Sequence, residues 1–265
     1  MDSEILIFYR GMALVFGSMI GSFLNVLIYR LPRDISFTLP RSRCPSCQTL
    51  IPWYQNIPIL AFVLLRGRCF SCKNKISLIY PSVELLVGLF AFFTFPADFS
   101  FGAILSFTFF FSVFCVFITH FVIDFQHQIL PNGLTLYLAL VFLMYSCLAK
   151  PWTHWAIGGA VGFLFPLAVA WGYYLLKGRE GLGAGDIKLY GALGIYLGPV
   201  GILQNIFFSS FVGSILGFGF IIFNKMDKNK PLPFGPSILI VAFVQIFYPQ
   251  TFLEAAKLLG RAFTF

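Results

Sequence analysis

Charge is what this sequence has little of. Only 11% of its 265 residues are charged, and only ten of them are acidic, where soluble domains carry about 25% charged residues. With 58% hydrophobic residues and a mean hydropathy of +0.86, that shortage excludes a water-soluble globular domain and points to a polytopic membrane protein in a lipid bilayer. A small-residue cleavage site is also missing near the N-terminus, where Asp2 and Glu4 precede the first apolar run. That run is therefore expected to be a retained span rather than a removed signal. No Gly-Lys-Ser/Thr follows the glycines at 181, 183 and 185, and no strand leads into them, so a phosphate-cradling loop is excluded. The net charge of +8 does not imply a nucleic-acid partner, because in a membrane protein the placement of Lys and Arg reports topology.

What is abundant is apolar sequence in lengths that suit membrane helices. Runs near 11–29, 79–95, 101–123, 129–148, 154–176, 187–200, 201–223 and 235–252 predict an all-α polytopic protein of about eight transmembrane helices. The sixth and seventh require a tight turn at Gly198-Pro199. With the N-terminus outside, fourteen of the eighteen basic residues fall on the inner side, leaving only Arg10, Lys150, Lys257 and Arg261 outside, as the positive-inside rule demands. Lys225 to Lys230 then reads as a cytoplasmic topology determinant, residues 150–155 as an outer interfacial belt and residues 253–265 as an amphipathic outer tail. The organisation predicted is a first span at 1–29, a cytoplasmic loop domain at 30–78 and a transmembrane core at 79–265.

The loop is too small for a dependable hydrophobic core and needs a staple. Cys44-x2-Cys47 and Cys69-x2-Cys72 are two knuckles separated by 21 residues, spacing that resembles a structural four-thiolate Zn2+ site. Two disulfides or free thiols are the alternatives, and a reducing cytoplasm argues against the disulfides. The stretch from Ile57 to Arg66 is too short to span and is expected on the membrane surface or against the bundle. Cys115 and Cys147 fall within spans as buried apolar residues. Gly17, Ser18, Gly21 and Ser22 present small residues for close helix packing. Asn25, one turn further on, needs polar partners in a dry setting and is expected to orient a neighbouring polar group. Glu84, near the inner end of the second run, either hydrogen-bonds within the bundle or lines a cytoplasm-facing cavity.

Two carboxylates stand out because acids at membrane boundaries are costly unless they face protein, water or a partner. Asp124 closes the third run, and Asp186 opens the sixth behind Gly183 and Gly185, placing both at the inner boundary. The glycines let another backbone approach closely, which suits an extended peptide beside Asp186. Two such acids held a few ångströms apart cannot both ionise comfortably and so share a proton. One can then act as base toward water while the other polarises a peptide carbonyl, giving hydrolysis without a covalent intermediate. The roles belong to the pair and are not assigned to either residue. His120, Asp124 and His127 also fall on one helical face, where interfacial histidines are commoner than metal ligands.

Gly183-Ala-Gly-Asp186-Ile-Lys188-Leu resembles the GxGD motif of intramembrane aspartic proteases, and the chain resembles the bacterial prepilin peptidases, or type IV leader peptidases, nearly end to end. Gly21-Ser-Phe-Leu-Asn25 through Pro32, the two knuckles, Asn56-Ile-Pro58, Arg66-Gly-Arg68, Tyr80-Pro-Ser-Val-Glu84, Ile123-Asp124, Leu130-Pro131 and Pro233-Phe-Gly235-Pro carry the likeness. The resemblance implies that Asp124 and Asp186 form the catalytic pair, with Gly183, Gly185, Lys188, Asn25 and Glu84 in support. The implied reaction is cleavage of the basic leader of type IV prepilins or type II secretion pseudopilins at the cytoplasmic face of the bacterial inner membrane. It further implies N-methylation of the new N-terminal residue with S-adenosylmethionine, for which no binding residue is evident beyond Glu84 and the loop. Asn132 departs from an acidic residue often found after the Leu-Pro. A proton- or cation-coupled transporter using the paired acids is the competing class, although both acids sit at one boundary rather than at several depths.

Overall fold

The computed structural model describes residues 3–36, 38, 41–179, 181–222 and 233–263. Its helices are α1 (Ser3–Arg30), α2 (Leu60–Leu64), α3 (Ile79–Thr94), α4 (Phe101–His127), α5 (Asn132–Ala149), α6 (Trp152–Lys177), α7 (Ala184–Ile222), α8 (Gly235–Phe247) and α9 (Pro249–Phe263). The chain separates into two compact units, Met1–Thr119 and His120–Phe265, with the boundary inside α4. The expected cytoplasmic determinant at Lys225 to Lys230 lies outside the described residues.

In the first unit α1 packs on α3 through the small residues read from the sequence. A Cβ added to Gly17 would stand 2.8 Å from the Ala91 Cβ, and one added to Gly21 would stand 2.7 Å from the Glu84 Cα. With no hydrophobic drive between helices in lipid, this close backbone approach is what makes the contact favourable. It also seats Glu84 against the turn that carries Ser22 and Asn25.

In the second unit α5, α6 and α8 pack around α7. Helix α7 is not one rod. Gly198 breaks it with φ 73° and ψ 178°, and the Tyr190 hydroxyl lies 2.7 Å from the Ser209 Oγ. Nineteen residues of continuous helix would separate those side chains by about 28 Å, so the chain reverses at Gly198 and its arms, 184–197 and 199–222, run antiparallel. The break frees carbonyls that other groups satisfy. Pro199 has no N–H for the Ile195 carbonyl, which accepts instead from the Ser146 Oγ at 3.2 Å. The Tyr196 carbonyl accepts from the Lys150 Nζ at 2.6 Å and from the His154 Nε2 at 3.2 Å, cations and donors being favoured at a helix C-terminus. Burial holds the Lys150 ammonium below its ordinary range. Helix α8 runs back along the second arm, joined by Asn205 to Gln245 (2.7 Å) and Gln245 to the Gly201 carbonyl (2.9 Å).

The protein is therefore all-α and multi-pass, but the expected count of eight spans is not reproduced by length. Among the described residues five helices are long and apolar enough to cross a membrane, or six if the bent α8–α9 pair is one span. The reversal gives the expected sixth and seventh runs separate arms of α7. The eighth is shorter than its apolar run, because the chain turns by 110° between α8 and α9. Helix α3, with 16 residues, falls short of the roughly 20 that a perpendicular span needs. Cys115 is buried as expected, whereas Cys147 is exposed on α5, where lipid rather than protein packing suits an apolar thiol.

Candidate active site

Asp124 stands in the last turn of α4, buried at 5% exposure. Asp186 occupies the first turn of α7, where backbone N–H groups and the helix dipole favour a carboxylate. The fold brings these residues close enough for their charges to interact. Glycines make that approach possible. A Cβ on Gly183 would lie 3.1 Å from the Asp186 Oδ2, and one on Gly235 would lie 2.6 Å from the Asp124 Oδ2. The Gly183 and Gly235 backbones are also hydrogen-bonding neighbours of Asp186 and Asp124 respectively. The Asp124 Oδ2 is buried without a hydrogen-bond partner, an expensive condition for an oxygen with no task.

Leu130 locks the arrangement from between. Its buried side chain would stand 3.0 Å from a Cβ on Gly185 and 3.4 Å from one on Gly235, so one wedge touches the segment that carries Asp186 and the glycine that stands against Asp124. The sequence marks Leu130-Pro131 and the Pro-Phe-Gly-Pro stretch as motif segments but not this contact. Gly235 stands beside the Asp124 carboxyl. Lys188 donates to the Asn132 Oδ1 at 2.8 Å, so the residue that departs from the expected acid still ties the start of α5 to the start of α7. The His120 Nε2 pairs with the Thr135 Oγ1 at 3.1 Å, and the four cysteines are the one group with metal-holding geometry among the described residues.

Those cysteines belong to the first unit. Residues 43–50 and 68–75 form matching knuckles, each closed by an antiparallel bridge, Arg43 with Leu50 and Arg68 with Lys75. Each has a left-handed residue after its second cysteine, Gln48 (φ 58°) and Lys73 (φ 60°). The four Sγ atoms lie within 4.8 Å of one another, with Cys44 and Cys72 at 3.8 Å. Tetrahedral zinc with bonds of about 2.3 Å sets ligand sulfurs about 3.8 Å apart, so the donor set fits one such ion. Hydrogen bonding with the Thr49 side chain and backbone holds the Cys47 thiol down to about 6, and the Cys72 and Ser71 backbones lower Cys69. The Asn74 backbone favours the Cys72 thiolate, but burial and the neighbouring thiols outweigh it and push Cys72 up to about 11.

Asn25 and Glu84 also belong to the first unit. The Asn25 Nδ2 donates to the Tyr80 carbonyl at 3.0 Å. Glu84, 8% exposed, accepts the Ile59 N–H at 2.8 Å and interacts with Ser22 and Asn25. Glu84 is thus bonded within the unit and also lines a cavity there. Ile59 was not legible as special. It is a β-branched residue held at φ 61°, and no local sequence signal announces that conformation.

Residues 15–97 match the model of the bacterial peptidase A24 N-terminal domain, and residues 109–218 that of the type IV leader peptidase family. A prepilin leader peptidase/N-methyltransferase of Stutzerimonas stutzeri is 34% identical over 93% of this chain and 94% of the relative. The chain belongs to the type IV leader peptidase family. Relatives with that same name in Aeromonas salmonicida (33% identical; 91% of each chain) and Bacillus subtilis strain 168 (33%; 91% of this chain, 94% of the relative) extend the likeness. No solved structure matches. The family is one of peptidases carrying an N-methyltransferase activity in these relatives, and the transporter alternative finds no support.

Proposed function

We propose that this family member removes the basic leader from type IV prepilins or pseudopilins, with Asp124 and Asp186 as its catalytic pair, at the cytoplasmic face of the bacterial inner membrane. The observation that carries the reading is the meeting of two acids, 62 residues apart in sequence, in the same unit, with a buried Asp124 oxygen left free of protein partners. One carboxylate takes a proton from water as it attacks the scissile carbonyl. The other gives a proton to the carbonyl oxygen, and proton return to the leaving nitrogen completes hydrolysis. Glycines at 183, 185 and 235 leave room for the carboxyls and Leu130. Lys188 acts through Asn132 as a positioning residue. We assign the peptidase chemistry to the transmembrane core within 79–265 and the metal staple to the loop domain within 30–78.

Zinc is the ion we propose for Cys44, Cys47, Cys69 and Cys72, in a structural role, because four thiolates close its coordination sphere. We further propose that the new N-terminal amine is methylated. S-adenosylmethionine, when bound, supplies an electrophilic methyl group for that step. The names of the relatives support this second activity.

The test is cleavage of a purified prepilin in detergent, with product mass read with and without S-adenosylmethionine. Asp124→Asn and Asp186→Asn should each abolish leader removal while the protein still inserts. Turnover near that of the wild type in either variant would refute the pair.

A further inference from the structure

Helix α6 lies tightly against the first arm of α7 over only part of its length. A Cβ added to Gly158, Gly159 or Gly162 would meet Gly194, Ile195 or Tyr190 of that arm, whereas one added to Gly172 would meet nothing within 4 Å. From the buried Pro166 onward the two helices are no longer joined by glycines, and a groove of about 550 Å3 opens there. It lies wholly within the second unit, and the residues that line it come from α6, α7, the turn between them and the approach to α8.

Two of its walls are shared with the segments that carry the acids. Tyr190, one turn after Asp186 and 1% exposed, lines it from α7. Phe234 lines it from the other side of the chain and adjoins Gly235, the glycine that stands against the Asp124 carboxyl. Glycines seat the aromatic rings at this end. A Cβ on Gly213 would stand 2.8 Å from the Phe234 ring, and one on Gly181 would stand 2.6 Å from the Tyr173 ring. Away from the acids the groove is open at the side, because Phe165 and Val169 line it yet stay 47% and 56% exposed. Phe165 lies twelve residues before Lys177, about 18 Å of helix, so the groove reaches from the inner boundary to about the middle of a hydrocarbon core of about 30 Å. The one charged residue lining it is Arg179, exposed at the inner end.

A groove that begins beside two carboxylates, opens sideways to lipid and carries a cation at its inner end distinguishes the two sides of a scissile bond. A basic leader is held in the cytoplasm and is repelled by Arg179. The polypeptide on the other side of the bond continues into the bilayer and has to be apolar there. We propose that this groove seats the apolar segment that follows the scissile bond, as one face of a membrane helix that enters from the lipid. Tyr173 and Phe234 then meet the side chains nearest the bond, and Phe165 and Val169 meet those deeper in the membrane. Packing of side chains supplies the attraction, since lipid tails are as apolar as the groove. The inference rests on the peptidase reading above and makes these four residues determinants of which membrane polypeptide is presented to the pair.

The groove is tested with a photoreactive benzoylphenylalanine in place of Phe165 in the full-length Asp124→Asn protein, mixed with purified prepilin in detergent, and the cross-linked peptides mapped by mass spectrometry. Cross-links to prepilin residues after the scissile bond are expected. The same group in place of Leu140, an apolar residue of α5 that is 56% exposed, should not capture prepilin. Capture through the leader, or equal capture from both positions, would overturn the groove. Val169→Trp, which fills the groove from an exposed position, should raise the KM for prepilin about tenfold, the scale of discrimination in apolar pockets, with kcat within about twofold and melting temperature as in the wild type. That split marks lost substrate binding rather than lost chemistry. An unchanged KM in a folded Val169→Trp would overturn the assignment, and the cross-link decides if that variant does not fold. Prepilin captured in the groove of a wild type that does not cut it would refute the peptidase reading alone, whereas cleavage with cross-links elsewhere would refute the groove alone.

Discussion

Gly235→Ala tests the geometry of the aspartate pair without removing either acid. An alanine Cβ at this position would lie 2.6 Å from the Asp124 Oδ2 and 3.1 Å from its Cγ, where ordinary contact begins at 3.4 Å. The shortfall at the oxygen is about 0.8 Å, and it must be relieved by rotating the Asp124 carboxyl or by pushing the start of α8 away. Rotation takes the carboxyl from its place against the glycine, and displacement of α8 disturbs Leu130, itself only 3.4 Å from the same added carbon. Either route moves a reacting group by most of an ångström, and a misplacement of about 1 Å can cost on the order of a hundredfold in rate. Alanine is otherwise well tolerated at a helix start. We therefore expect prepilin cleavage by Gly235→Ala to fall by roughly thirty- to a hundredfold, with melting temperature changed little. Gly133→Ala, in the first turn of α5 with nothing within 4 Å of the added carbon, should cleave at the wild-type rate. Single-turnover cleavage in detergent, with substrate in excess of its KM in a parallel series, separates lost chemistry from lost binding. Wild-type kcat in Gly235→Ala would refute the claim that Asp124 works from its position against that glycine.

Further outcomes follow from the same contacts. Asn132→Asp turns the Lys188 hydrogen bond into an exposed ion pair, worth only about 0.2–1 kcal/mol, so cleavage should stay within about twofold; a large loss would give residue 132 a direct part in the reaction. Tyr190→Phe removes the 2.7 Å bond that joins the arms of α7 and should lower stability by about 0.6–1.7 kcal/mol, the range for interhelical polar contacts in membranes; an unchanged unfolding midpoint would show that the arms hold without it. One zinc per chain should be lost to a chelator faster at pH 6 than at pH 8, because metal binding needs thiolates and the proton on Cys72, pushed up to about 11, competes more strongly as pH falls. Metal analysis of the Cys72→Ser protein should find less zinc, and full retention would move the metal elsewhere.

Apolar runs, basic-residue placement and cysteine spacing are local properties of the chain, and they sufficed for an all-α membrane protein with a four-thiolate loop and two acids of interest. Membrane helices satisfy their backbone groups internally, so composition over about twenty residues identifies them without knowledge of their neighbours. The knuckles are equally local, since each Cys-x2-Cys pair closes its own turn and only the approach of one to the other depends on the fold. What composition does not contain is where helices stop short and what they touch. The reversal of α7 depends on Gly198 adopting φ 73° and on Ser146, Lys150 and His154 receiving the carbonyls it strands. The bend after α8 shortens an apolar run that reads as continuous. Leu130 is legible as part of a motif but not as the side chain that packs against Gly185 and Gly235, and nothing near Ile59 foretells that Glu84, 25 residues away, holds it in a left-handed conformation. The sequence by itself determined that the protein is all-α and multi-pass and which residues have chemistry to offer, because both follow from side-chain type and spacing. Only the tertiary structure decided which of those residues meet, because the meetings join residues far apart in sequence and depend on helix packing at glycines, where a single methyl group would keep them apart.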